Sequence, residues 1–226
     1  MPMLDTALEL AQRGFFVFPV QPGAKEPAVK DWPNAATTDP VRIRDWFTGT
    51  DRNIGITTGK FGDGRALVVV DVDNKNGKSG DESMLTLELE GCDFPPTMEQ
   101  STPSGGRHLI YVVDRPLKQG VNVLGPGLDV RSRGGYIVGP GSQIDGVAYA
   151  LTRRMLPVPA PAWLVARLGA GPERVPAGDV PVGDVDPDRA AGRAIEYLKT
   201  APVAVEGEGG DLTTYKVAAR LKDIGC

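Results

Sequence analysis

Two cysteines and one histidine are all the thiol and imidazole ligands that this chain of 226 residues contains. Cys92 and Cys226 lie far apart in unlike settings, which suits a reducing compartment, and together with His108 they cannot assemble a structural zinc site. No apolar run approaches the ~20 residues that span a bilayer. The opening MPMLDTALELAQRG carries acids and no basic n-region, so it does not read as a secretory signal, and the cytoplasm is the expected location. An excess of positive charge is also missing. The formal net charge of −4 gives no support for bulk attraction to polyanions.

Glycine and proline, by contrast, are plentiful, with 29 and 20 residues, and point to a loop-rich α/β or α+β fold rather than a helical bundle. The length suits one sizeable domain plus a smaller appendage. Charge is unevenly spread. Acids outnumber bases from Val180 onward, whereas Arg107, Arg115, Lys118, Arg131, Arg133, Arg153 and Arg154 make the stretch between 107 and 154 locally basic. That stretch could attract phosphates or could be an ordinary solvated surface.

Leu4, Ala7, Leu8 and Ala11 form a helical stripe ended by Gly14, and FFVFPV reads as a buried strand. Residues 21–38 read as a long ordered loop. Thr38 or Asp39 can cap a short helix with Pro40 in its first turn and Trp46 and Phe47 on its buried side. Asn53 to Thr57 suggests a short strand. ALVVVDVD, residues 66–73, is the strongest strand: nearly all apolar at first, as a central strand should be, and closed by two carboxylates. A helix follows over Asp81 to Glu90. Then come strand-like segments MEQS, RHLIYVV, GLDVR, GYIVGP and VAYAL, parted by Gly and Pro turns, and a short helix from Pro161 to Leu168. The pattern alone supports an α+β fold. Residues 1–168 read as one domain, 169–187 as a Gly/Pro/Asp-rich linker, and 188–226 as the start of a helical region with helices near 187–199 and 211–224. The sequence stops just after a helix C-cap at Gly225, the expectation for a piece of a longer protein.

Three patterns carry chemistry. Asp71 and Asp73 are two apart in a strand, so both carboxylates project from one face. Placing them together is costly unless cations neutralise them, and hard oxygen ligands suit Mg²⁺ or Mn²⁺; an acidic turn at a strand end is the plainer explanation. In Thr102-Pro103-Ser104-Gly105-Gly106-Arg107-His108, the Ser-Gly-Gly turn could present amides and a hydroxyl to an anion. His108 shares a strand face with Ile110, so it could equally be a half-buried structural histidine. Asp129 and Arg131 share one face of GLDVRS, where a cross-strand salt bridge would explain them as well. With Asp71 and Asp73, however, Asp129 supplies the third carboxylate of a two-metal site, in which ions about 3.5–4 Å apart stabilise the attacking and leaving oxygens of an in-line displacement.

The order VVVDVD, STPSGGRH, GLDVRSRGGYIVGPGS resembles the three motifs of the archaeo-eukaryotic primase superfamily, most closely its bifunctional primase-polymerase branch at the N-terminus of phage and plasmid replication proteins. PGAKEP, DWPNAATTDP and NIGITTG agree upstream in the same order, and the resemblance covers nearly all of residues 4–168. It implies a primase-like core of mixed or antiparallel sheets flanked by helices around a central cleft. It also implies template-dependent nucleotidyl transfer from (d)NTPs, for primer synthesis and extension, with two Mg²⁺ or Mn²⁺ ions on Asp71, Asp73 and Asp129. By the same resemblance Ser104, with Gly105 and Gly106, and His108 contact the triphosphate, Arg131 binds phosphate, and Lys25 lines the cleft. Expected partners are single-stranded template, primer and a replicative helicase, in a cell or a phage-infected host, with no membrane. The chain lacks the ligands of the zinc-binding stem that some relatives carry, which makes extension a firmer expectation than initiation. GEGGDLTTYKVAARLKDIG resembles the start of the helical region associated with primer synthesis. No dedicated general base is evident. A metal-dependent nuclease, a D-x-D glycosyltransferase and a catalytically inactive nucleotide- or DNA-binding module are the competing classes.

Overall fold

The computed structural model describes residues 3–62, 64–75, 77, 79–169, 195, 198 and 199. The chain divides into two compact units, Met1–Pro172 and Glu173–Cys226, and the first carries everything described below. The expected linker and C-terminal helices lie outside the described residues, apart from Gly169 and the helical positions Ile195, Leu198 and Lys199.

The first unit runs α1 (Met3–Gln12), β1 (Phe15–Val20), α2 (Trp32–Ala35), α3 (Pro40–Phe47), β2 (Asn53–Phe61), β3 (Ala66–Val72), α4 (Gly80–Leu89), β4 (Met98–Ser101), β5 (Arg107–Val113), β6 (Gly120–Gly125), β7 (Leu128–Arg131), β8 (Tyr136–Val138), β9 (Gln143–Ile144), β10 (Val147–Ala148), β11 (Ala150–Arg153) and α5 (Ala162–Leu168). The fold is α+β, as the pattern implied. Six strands form one sheet in the order β11-β4-β5-β3-β7-β6, three form a second in the order β1-β2-β8, and β9-β10 is a hairpin. Every pairing between these strands is antiparallel.

β3 is central because both its faces are apolar. Ala66, Val68, Val70 and Val72 point one way, into a core with Met84 and Leu87 of α4 and Leu164 and Leu168 of α5. Leu67 and Val69 point the other way, into a core with α1, α3 and the inner residues Phe15, Val17, Ile54, Ile56 and Ile137 of the small sheet. Each fully buried Val, Leu or Ile contributes about 1.5–3 kcal/mol, so β3 cannot slip by one residue without exchanging the two cores. The helix expected at Thr38 or Asp39 starts at Asp39, whose carboxylate accepts from the Val41 amide at 2.9 Å.

The sequence reading missed some elements. β6 was not expected, because Asn122 at φ 53° and the Gly125-Pro126-Gly127 turn interrupt its pattern. VAYAL splits at Tyr149, whose amide and carbonyl turn aside to Ser142 and Gly141. GYIVGP forms β8, which pairs with β2 in the small sheet. Arg153 is on β11 and Arg131 on β7, four strand steps apart, or about 19 Å at ~4.8 Å per step.

Candidate active site

The register of the large sheet builds a polar row across four strands. Gln100 of β4 lies opposite His108 of β5, His108 opposite Asp71 of β3, and Asp71 opposite Asp129 of β7. Strand alternation puts all four side chains on the face towards the small sheet, where the apolar row of Leu67, Val69, Ile110 and Val112 gives way to polar residues. Asp73 follows two residues beyond Asp71. Its amide donates to Gly127 O at 2.8 Å and its carbonyl accepts from Gly80 N at 2.9 Å, so β3 is clamped between the β6–β7 turn and the start of α4. Gly127 and Gly80 suit that clamp, since a Cβ on either would lie within 3 Å of the Asp73 carbonyl oxygen.

Asp71, Asp73 and Asp129 each offer a carboxylate oxygen, and these oxygens lie within 4.8 Å of one another. Asp129 is buried; it accepts from the Asn122 amide at 2.8 Å and from Arg131 Nη2 at 3.1 Å. Arg131 also lies 3.8 Å from Asp71, and Lys75 Nζ lies 3.6 Å from Asp73. Burial alone would push the Asp71 carboxyl up. The hydrogen bond from His108 Nε2, at 3.3 Å, and the electrostatic pull of His108, Arg131 and Lys25 outweigh it, so Asp71 stays below the ordinary carboxylate range. An all-oxygen set of three clustered carboxylates fits a hard divalent cation such as Mg²⁺ or Mn²⁺ and does not fit a soft metal.

Of these carboxylates Asp71 lines a cleft of about 330 Å³ between the two sheets, together with Lys25, Trp32, His108, Gln119, Arg131, Tyr136 and Tyr149 among others. The structure therefore brings together Asp71, Asp73, Asp129, His108, Arg131 and Lys25. Lys25 is held there by its own backbone, because its carbonyl accepts from the Tyr136 hydroxyl at 2.9 Å. Ser104 is exposed and reaches the group only through Lys75, 3.3 Å away. The Gly105 and Gly106 amides differ from the anion-binding expectation. They donate to the Thr102 carbonyl and the Thr102 hydroxyl, closing the β4–β5 turn. The small size of Gly106 is used instead, for a Cβ there would lie 2.2 Å from Val72 O.

Six residues at the site escaped the sequence reading: Trp32, Lys75, Gln100, Gln119, Tyr136 and Tyr149. Trp32 and Tyr136 join Phe18 in an aromatic cluster with ring centroids 4.8–5.3 Å apart. Tyr149 packs beside His108, ring centroids 5.9 Å apart, and burial with the negative charges of Asp71 and Asp73 pushes its hydroxyl up to about 12. Period-two alternation could have flagged Gln100, which shares an inward face with Met98 in MEQS.

A family model described as bifunctional DNA primase/polymerase, N-terminal, matches residues 7–163. The chain belongs to that family. No curated protein matches the chain. As a member of the primase/polymerase family it is an enzyme of nucleotidyltransferase type, from a metal-dependent family, and the clustered carboxylates could hold the metal. No helix among the described residues is long and apolar enough to cross a membrane.

Proposed function

We propose that this primase/polymerase extends a DNA primer on a single-stranded template, using (d)NTPs, and that Asp71, Asp73 and Asp129 are its metal ligands. One observation carries the reading: three carboxylates cluster on the large sheet, and one of them, Asp71, enters a cleft also lined by a guanidinium, an ammonium and an imidazole. That is the charge pattern a bound triphosphate and its cations require. Mg²⁺ or Mn²⁺ bound by the three carboxylates would lower the pKa of the attacking hydroxyl and offset the charge of the triphosphate.

The chain's own residues do the rest. Asp71 is held ionised by His108, Arg131 and Lys25, so it stands ready as a ligand. Arg131, His108 and Lys25 hold the β and γ phosphates, aligning the α-phosphorus with a primer 3′-hydroxyl and stabilising the departing pyrophosphate. Ser104 and Lys75 extend that hold at the rim. Gly105 and Gly106 shape the turn that carries Ser104 and do not bind the anion themselves. The rings of Trp32 and Tyr136 offer an apolar wall on which a base can stack. Lys118 and Arg133, neighbours of the cleft residues Gln119 and Gly134, suit the template backbone, which positions a strand without reading its sequence. Primer initiation, a helicase partner and a place in phage or plasmid replication, in the cytoplasm of the host, complete the proposal.

The test is incorporation of labelled nucleotide in Mg²⁺ and in Mn²⁺, with and without an annealed primer. Extension that disappears in Asp71→Ala supports the polymerase, and products without a primer add primase activity. Metal-dependent loss of the DNA itself would mean a nuclease; metal-dependent triphosphate binding without turnover would mean a binding module.

A further inference from the structure

Gln100 is wholly buried in β4, and its carboxamide oxygen is the buried side-chain polar atom that finds no hydrogen-bond partner among the described residues. An acceptor left unpaired in the interior opposes folding, which directs attention to the amide nitrogen of the same side chain. Gln100 Nε2 lies 2.8 Å from Val138 O and 2.9 Å from His108 Nδ1. A backbone carbonyl only accepts, which fixes the amide. Rotating the carboxamide by half a turn would set its oxygen against Val138 O, two acceptors face to face, and would leave the NH₂ group without that partner. With the amide so fixed, one hydrogen goes to Val138 O and the other to His108 Nδ1. Nδ1 then accepts, and the ring proton sits on Nε2, which faces Asp71 Oδ1 at 3.3 Å.

We propose that Gln100 is a positioning residue that sets the tautomer of His108, so that an Nε2–H donor always points into the cleft. In the free protein that donor meets Asp71; with a nucleotide bound it meets a triphosphate oxygen. Both are pure acceptors, and a bare Nε2 lone pair would repel either. The nucleotide clause rests on the polymerase reading above, whereas the tautomer does not. Val138 is the last residue of β8 in the small sheet, so Gln100 also ties the orientation of His108 to the opposite wall of the cleft.

His108 is the only histidine in the chain, so tag-free, ¹⁵N-labelled protein gives a single imidazole signal in long-range ¹H–¹⁵N correlation spectra. In the spectrum of the neutral ring we expect Nε2 to be of the protonated type and Nδ1 of the unprotonated type. Gln100→Met, similar in volume and without a donor, should shift both signals towards a mixture of tautomers. The same variant should raise the KM for nucleotide by roughly tenfold while changing kcat less, the size of one lost, well-aligned donor. A wild-type ring protonated on Nδ1 overturns the proposal without needing any variant to fold. Wild-type shifts that survive unchanged in Gln100→Met overturn it too. A ring with Nε2–H in a protein that incorporates no nucleotide would support the Gln100 assignment and sink the polymerase reading instead.

Discussion

Asp73 and Asp129 are the same residue type in one cluster, yet their surroundings differ enough to separate function from stability. The Asp73 side chain is 17% exposed and, among the described residues, its one ion-pair partner is Lys75, at 3.6 Å. The Asp129 side chain is 6% exposed and accepts from both Asn122 N and Arg131. Asp73→Ala should therefore abolish nucleotide addition, by about a thousandfold or more, and leave the melting temperature unchanged or slightly raised, since it relieves repulsion among three carboxylates. Asp129→Ala should abolish activity and also lower stability by about 1–3 kcal/mol, because the Asn122 amide and the Arg131 guanidinium lose a buried acceptor. Paired activity and thermal-melt measurements check both. Equal destabilisation by the two substitutions would contradict this division.

At the scale of elements, the two sheets set the site through close backbone approaches. Gly106 and Gly105 are neighbours in sequence but unlike in constraint. A methyl at Gly106 would sit 2.2 Å from the Val72 carbonyl oxygen, whereas at Gly105 nothing lies within 4 Å and only the φ of +83° resists. Gly106→Ala should displace the end of β3, lowering stability by about 1–3 kcal/mol, with a large loss of activity because Asp71 and Asp73 move with it. Gly105→Ala should cost about 1 kcal/mol and keep most activity. Urea unfolding and primer extension on both variants distinguish the two cases.

The elements also show what could be read in the sequence. Asp71, Asp129 and His108 were legible because strand alternation is a local rule that sets each at an inward position of its strand, and Asp73 keeps the same spacing just past the end of β3. Trp32, Gln119 and Tyr136 were not, because they reach the cleft through long-range pairing, such as β8 beside β2. Lys75 read as an ordinary loop lysine. Tyr149 was hidden inside an apparently continuous strand that breaks at that residue. Composition also cannot show that the Gly105 and Gly106 amides already donate to Thr102.

For the molecule as a whole, a metal that binds the folded protein and not the unfolded chain must stabilise it. At a hundred times its dissociation constant, Mg²⁺ or Mn²⁺ should add about 2.7 kcal/mol, a melting shift of several degrees at roughly 2–4 °C per kcal/mol for a chain of this size. The shift should vanish in Asp71→Ala. Persistence of the full shift in that variant would place the metal elsewhere. Beyond holding a metal, a template-dependent polymerase must join at its cleft the nucleotide that the template specifies. The most direct test is single-nucleotide extension on four primer–templates that differ only in the next template base, each offered all four dNTPs separately. We expect the complementary nucleotide to be added in each case, and nothing to be added by Asp71→Ala. No addition by the wild-type protein, or addition that ignores the template base, would contradict the account.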